Sequence, residues 1–304
     1  METDKSSNVA TDAMVAVEII RANKEQHRIT SDILAIEEPL EIRLAYGPMG
    51  YRNVSNISVT MRTPGSDAEL AIGFLFTEGI ISGFAEVLSV NHLFIACREN
   101  KENTILVDLN EEAIPKLPDR ERSFYTTSSC GVCGKGSIEA IRTVSSAPPL
   151  ALIPVKINAE ILMALPEQLS AHQEVFHQTG GLHACALFDE QGKLLLVRED
   201  VGRHNALDKL IGAGLQDSCL QMDRKILLLS GRASFELIQK AVMAGITVIA
   251  AVGAPSSLAV ELSVEFGITL VGFLRNNRFN IYTSPERIIF KQHEDKNKGT
   301  IYPV

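Results

Sequence analysis

Apolar and polar positions along the chain fall into two blocks of different rhythm, between two ends that have none. The first dozen or so residues and the stretch from Gln292 are polar and aperiodic, and residues 1–27 and 292–304 are expected to be flexible tails. In the first block, 28–125, the pattern predicts strands over Ile33–Arg43, Val54–Met61, Val90–Cys97 and Thr104–Leu109. Thr63-Pro64-Gly65-Ser66 reads as a turn, and Asp67 stands where an N-cap belongs. Leu70, Ala71, Phe74 and Leu75 then recur at helical spacing up to a stop at Gly79. The block is a small α+β domain of ββαββ order. The second block, 155–291, alternates regularly. Helices are predicted over Ala159–Leu169, after Arg203 (with Leu207, Leu210 and Ile211 on one face), around Phe235, Ile238 and Val242, and around Leu258, Leu262 and Phe266. Strands are predicted over Leu182–Phe188, Leu194–Arg198, 225–229, 246–251, 268–272 and Phe279–Tyr282. Apolar strands separated by amphipathic helices predict an α/β domain with a buried, largely parallel sheet and helices on both faces.

Residues 126–154 separate the blocks. They hold Cys130-Gly131-Val132-Cys133-Gly134-Lys135-Gly136, a predicted helix over Ile138–Val144 and a Ser/Pro-rich connector at 145–154. Glycines beside both thiols keep them accessible, and the following helix start and Lys135 favour a thiolate. Three chemistries fit. A structural zinc site needs four ligands, but Cys97, Cys185 and Cys219 are isolated and supply no second pair, so no bound metal is expected. A thioredoxin-type couple needs a strand–CxxC–helix opening that is missing here. A persulfide carrier needs one exposed, nucleophilic thiol.

Polar, arginine-bearing turns follow the predicted strands of the second block: Arg198-Glu199-Asp200-Val201-Gly202-Arg203-His204-Asn205, then Ser230-Gly231-Arg232-Ala233-Ser234-Phe235-Glu236, then 272–279 with Arg275 and Arg278. Ligands of open α/β sheets bind at this edge, and the guanidinium fork matches phosphate oxygens. The competing reading is an ion-paired turn that caps a helix. Thr179-Gly180-Gly181-Leu182-His183 leads into a strand, and His183 by itself reads as a satisfied buried histidine.

Composition narrows the function classes. Lys and Arg number 29 against 37 Asp and Glu, and a net charge of −8 argues against nucleic acid as the main partner while leaving room for a local basic patch that binds a small phosphorylated ligand. No apolar run approaches a bilayer span, so no membrane partner is expected. The first residues lack a secretory pattern, and five irregularly spaced cysteines make a poor disulfide framework, which together point to a reducing cytosol.

Several motifs occur together and in order: Glu37–Arg43, Met61–Gly65, Gly73–Ile80, the CGVCGKGSIE segment, Thr179–His183, EDVGRHNALDK (199–209), LSGRASFE (229–236) and GFLRNNRFNIY (272–282). In this the chain resembles the FdhD family of formate dehydrogenase accessory sulfurtransferases, from about residue 28 to 290. The resemblance implies a sulfur carrier. It takes persulfide sulfur from a cysteine desulfurase and passes it to the molybdenum bis(molybdopterin guanine dinucleotide) cofactor of formate dehydrogenase. It implies Cys130 as the persulfide thiol, with Cys133 beside it, and a cofactor-binding segment at Phe273, Leu274, Arg275, Asn276, Asn277 and Arg278. Arg203 and Arg232, from the two preceding turns, are expected to share that pocket, and Asp200 or Glu236 to meet the guanine ring. A cytidine-deaminase-like three-layer second domain follows from the same resemblance, without the deaminase zinc motifs. A homodimer is also expected. The alternatives are a CxxC thiol–disulfide oxidoreductase and a cofactor-binding chaperone.

Overall fold

Residues 13–93, 103–117, 155–217 and 220–291 are described by the computed structural model of the chain. β1 (Met14–Ala22) and β2 (His27–Ala35) form a separate antiparallel ribbon, turned at Asn23, whose Oδ1 accepts from the Glu25 and Gln26 N–H groups. Residues 14–27 are therefore not a tail. The ribbon buries neither face, so its strands lack the alternation that marks a half-buried strand. The single strand expected over 33–43 is likewise two. Pairing of β2 with β1 ends at Ala35, and β3 (Glu38–Tyr46) starts a different sheet.

That sheet adds β4 (Asn53–Arg62), β5 (Val87–His92) and β6 (Thr104–Leu109) in the order β4-β3-β6-β5. β3 is central, yet it tolerates Pro39 because its ladder with β6 begins only at Glu41. Leu40, Ile42 and Leu44 are buried beneath α1 (Asp67–Thr77), which contributes Leu70, Ala71 and Leu75. The helix begins otherwise than its sequence suggests. Ser66, at φ 57°, is the N-cap, and Asp67 is already helical. The Asp67 carboxylate is taken by Arg62, whose Nε and Nη2 donate to it at 3.0 and 2.8 Å in a buried bidentate pair. Gly79 ends the helix with φ 71°, and the Ile80 N–H returns to the Leu75 carbonyl at 2.9 Å.

A short parallel pair, β7 (Ile157–Asn158) with β14 (Ile288–Ile289), ties the two ends of the second block together. Its main sheet has six strands: β8 (His183–Phe188), β9 (Leu194–Asp200), β10 (Ile226–Leu229), β11 (Val248–Ala251), β12 (Thr269–Arg275) and β13 (Arg278–Thr283), ordered β13-β12-β11-β10-β8-β9. Only β10, β11 and β12 run parallel, so the sheet is mixed rather than largely parallel. Loop length explains this. A parallel crossover needs a dozen residues or more, whereas residues 189–193 and the two-residue Asn276-Asn277 turn permit only hairpins. Both asparagines have positive φ, 53° and 55°, as a mirror-image hairpin turn requires. α2 (Ala159–Ala171) covers one face with Leu162, Leu165 and Leu169. A short helix, α3 (Glu174–Thr179), follows it without a clear signal in the sequence. α4 (Arg203–Gln216), α5 (Phe235–Met243) and α6 (Ser257–Glu265) cover the other face. The result is a mixed α/β fold. Among the described residues no helix is long and apolar enough to cross a membrane.

The two sheets are joined through α1 and α4, which meet backbone to backbone. A Cβ added at Gly73 would stand 1.9 Å from the Asp208 carbonyl oxygen, and one at Gly212 would stand 1.9 Å from that of Glu69. Beside this crossing, Lys240 Nζ of α5 donates to Thr77 Oγ1 of α1 and to both carboxylate oxygens of Asp208, each at 2.9 Å. Burial disfavours both charges. It raises the Asp208 carboxyl above its ordinary pKa, whereas for Lys240 the neighbouring Asp208 and Glu78 outweigh it and hold the ammonium above its own.

Alanine normally stabilises a helix interior relative to glycine by about 1 kcal/mol. At Gly212 the backbone contact reverses the sign. Gly212→Ala is expected to destabilise the protein by roughly 3 kcal/mol in urea unfolding, and a neutral or stabilising result would mean the helices do not touch there.

Candidate functional site

The polar turn between β9 and α4 splits its residues between structure and surface. Arg198 forks onto Glu69 of α1, its Nη2 donating to Oε1 at 2.6 Å. Glu199 accepts from the Val175 and Phe176 N–H groups at 3.1 and 3.0 Å and so caps α3. Asp200 is fully buried and saturated. Its Oδ1 accepts from the Gly202 N–H at 2.8 Å and from Asn205 Nδ2 at 3.1 Å. Its Oδ2 accepts from the Thr63 N–H at 3.2 Å and meets Lys209 Nζ at 2.7 Å. Lys209 also donates to the Thr63 carbonyl at 2.8 Å, and Asn205 Nδ2 to that of Met61 at 2.7 Å. The first turn of α4 is thus pinned to the loop after β4. Asp200 has no oxygen left for a guanine ring, so of the two acids expected there only Glu236 is available.

Arg203 and His204 are left facing the sheet edge. His204 is only 8% exposed; its Nε2 faces Glu236 Oε2 at 3.7 Å, and its Nδ1 has no hydrogen-bond partner. Arg203 Nε is also buried without a hydrogen-bond partner. Gly202 and Ser234 are the N-caps of α4 and α5, and neither helix has a side-chain cap. Burial opposes ionisation of Glu236, but the adjacent His204, the Glu236 backbone N–H and the nearby Ser234 hydroxyl outweigh it and hold the carboxyl down at about 2. His183, at the start of β8, is exposed rather than the buried residue its context suggested. Its Nδ1 is 3.4 Å from where a Cβ on Gly231 would stand. Partial burial, then the positive Arg203 and the neighbouring His204, push its pKa down against the pull of Asp200, so the ring is neutral at pH 7.

The turns after the three parallel strands lie side by side. The Gly253 N–H donates to the Gly231 carbonyl at 2.9 Å, and the Phe273 N–H to the Gly253 carbonyl at 3.0 Å. The packing is tight enough that a Cβ on Gly253 would stand 3.0 Å from the Arg232 nitrogen. Arg232, Arg275, Asn276, Asn277 and Arg278 are exposed on this edge. Phe273 is half-buried at φ 54°, with the Arg275 guanidinium 6.0 Å from its ring centre. Leu274 is packed in the core and offers a ligand no side chain.

Cys130 and Cys133 lie outside the described residues. Cys185 is buried in the core, where burial pushes its thiol far above the usual range and leaves it unreactive. Among the described residues no group of three or more His, Cys, Asp or Glu is placed to hold a metal ion. Reasoning from sequence missed His204 and Ser234 as site residues. The available signal was a preferred N-capping residue, Ser234, directly before an amphipathic helix.

Residues 35–289 match the family model described as the FdhD/NarQ family. The chain is 50% identical over 262 residues to the sulfur carrier protein FdhD of Streptomyces coelicolor, covering 86% of this chain and 90% of that protein. It is 53% identical over 260 residues to the sulfur carrier protein FdhD of Mycolicibacterium paratuberculosis, covering 84% and 92%. A crystal structure from Desulfotalea psychrophila, assigned as a formate dehydrogenase accessory protein, matches 91% of this chain and all of its own. The TM-score is 0.69 at 25% identity.

Removing the Asp200 carboxylate leaves Lys209 charged and buried without its counter-ion. Asp200→Ala is expected to cost about 3–5 kcal/mol of stability. Amide hydrogen exchange should accelerate first at residues 203–205; unchanged exchange there would show that Asp200 does not hold the turn.

Proposed function

Because the chain belongs to the FdhD/NarQ family, we propose that it is a sulfur carrier serving formate dehydrogenase, with Cys130 as the thiol that bears the sulfur. The observation that carries this reading is about half identity, over 86% of the chain, to a protein named as a sulfur carrier. The donor is a cysteine desulfurase. The acceptor is the molybdenum bis(molybdopterin guanine dinucleotide) cofactor, which is a substrate of the transfer and not a resident group of this chain. The protein works in the cytosol as a homodimer.

The chemistry follows from thiol–persulfide exchange. The Cys130 thiolate attacks the terminal sulfur of the donor's persulfide. A new S–S bond forms on Cys130 and the donor's S–S bond breaks, its electron pair leaving on the donor thiolate. The enzyme then carries a terminal sulfane sulfur to the cofactor. Binding falls to the sheet edge: Arg203, Arg232, Arg275 and Arg278 meet charged oxygens of the cofactor. Phe273, Asn276 and Asn277 supply a ring and amides near them. Leu274 holds that hairpin from below rather than touching the ligand. With a single reactive thiol sufficient for transfer, Cys133 assists and does not carry.

After incubation with a cysteine desulfurase and cysteine, intact mass spectrometry should show one added sulfur atom on the wild-type protein. Cys130→Ser should lose both that mass and formate dehydrogenase activation, and Cys133→Ser should retain at least part of each. A Cys130→Ser protein that still gains the sulfur and still activates the enzyme would refute the assignment. Separately, Arg275→Ala and Arg278→Ala should weaken binding of guanosine diphosphate roughly tenfold each without changing the melting temperature. Calorimetry showing unchanged affinity would move the cofactor site elsewhere.

A further inference from the structure

The two faces of the β1–β2 ribbon are covered unequally. Residues directly opposite each other in an antiparallel pair share a face. Val17, Ile19, Thr30 and Asp32 share one and are half-buried, and α3 packs against β2. The other face carries Ala16, Ile20, Ala22, Ile29 and Ile33, and all five are exposed. Ile20 and Ile29 stand directly opposite each other, 67% and 68% exposed. A two-stranded ribbon is marginal in water unless something packs on it, and an apolar face left open in this way marks a contact surface.

We propose that this open face is an interface between two copies of the chain, packed face to face about a twofold axis that crosses the strands at the Ile20–Ile29 pair. This rests on the homodimer named above and deepens it by assigning the surface that pairs. Charge selects a second copy as the occupant. The chain as a whole carries −8, so two copies repel over most of their surfaces, yet the ribbon is balanced, with Arg21, Lys24 and Arg28 against Glu18, Glu25 and Asp32. The balance is divided along its length. The tip, 21–28, holds three cations and one acid, and the base, 14–20 with 29–35, holds only the acids Glu18 and Asp32. Two ribbons packed antiparallel set each tip against the other's base. The surface is then its own complement, as an isologous contact requires.

The register of the ribbon fixes where the axis falls. With the Ile20–Ile29 pair of one copy over the same pair of the other, the Ala22–His27 pair of each lies over the Glu18–Ser31 pair of its partner. Ala22 is small and leaves Glu18 room to reach the His27 ring, which has a nitrogen to donate. An axis at Glu18 would instead oppose two like charges. Arg21 and Asp32 lie 3.7 Å apart on the α3 side, and with that pair set aside tip and base remain opposite in sign. Each contact occurs twice across the axis, so one substitution removes two.

Sedimentation equilibrium of the full-length protein over a concentration series tests the interface without sulfur chemistry or cofactor. Wild type should be a dimer. Ile20→Asp and Ile29→Asp, both at exposed positions, should each weaken dimerisation at least roughly tenfold while the far-ultraviolet circular dichroism stays that of wild type. Glu18→Arg should weaken it as well, and adding His27→Asp should restore it, because each copy then presents the reversed pair. A wild type that stays monomeric overturns the interface, leaves the face to a different protein, and takes the homodimer reading with it. A wild-type dimer whose affinity changes less than twofold in both isoleucine variants overturns the interface alone. So does a charge pair that fails to lose and regain affinity in this order. Sulfur gain on Cys130 is read separately by mass, so failure of the interface and failure of the sulfur-carrier reading remain distinct results.

Discussion

The contact on which the rest depends is the crossing of α1 over α4 at Gly73 and Gly212. Each glycine lies against a carbonyl of the opposite helix so closely that a single Cβ would collide with it. No polar side chain could hold two helices at that distance. The approach lets Lys240 reach Thr77, Asp208 and, at 3.7 Å, Glu78 at once, spanning three helices with one buried ammonium. It also sets the loop after β4 beside the start of α4, where Thr63 shares Asp200 and Lys209. A buried ion pair contributes little net stability of its own, because desolvation offsets most of its attraction. It does penalise every alternative arrangement in which either charge is left alone.

That anchoring divides the polar turn between structure and surface. Arg198, Glu199 and Asp200 are each consumed by a different element: α1, α3 and the β4 loop. With those three bound inward, Arg203 and His204 are held at the edge with nitrogens left unmatched. The strain of desolvated donors is tolerated because the surrounding bonds over-determine the turn. Small residues complete the edge. Gly231 and Gly253 let the ends of β10 and β11 continue side by side past the strands, which brings the turns after successive strands into one line.

Cysteine chemistry and the sheet edge place different demands on the chain. The edge is rigid, built on strand ends and helix starts. Cys185, although inside the same domain, is barred from sulfur chemistry by its burial. A glycine-flanked CxxC segment leaves its thiols accessible, as a core position does not.

Much of this was legible in the sequence alone. Strand and helix periodicity placed β4, β6 and the elements from β8 to β13 within a few residues, because each has a buried face that leaves its period in the chain. The ordered motifs identified the family, and the resemblance in turn pointed to Cys130 and to the arginine-bearing segment at 273–278. Tertiary structure alone decided what those types do. β1 was invisible because its ribbon buries neither face. The mixed sense of the sheet depended on hairpins two to five residues long, while the apolar strands read the same in either direction. Asp200 and Glu236 looked equivalent until one was found saturated by four donors and the other open. His204 meets Glu236 only because the starts of α4 and α5 come together. Periodicity reports which face is buried; it carries no record of which distant partner a polar atom finds, or of one that it does not.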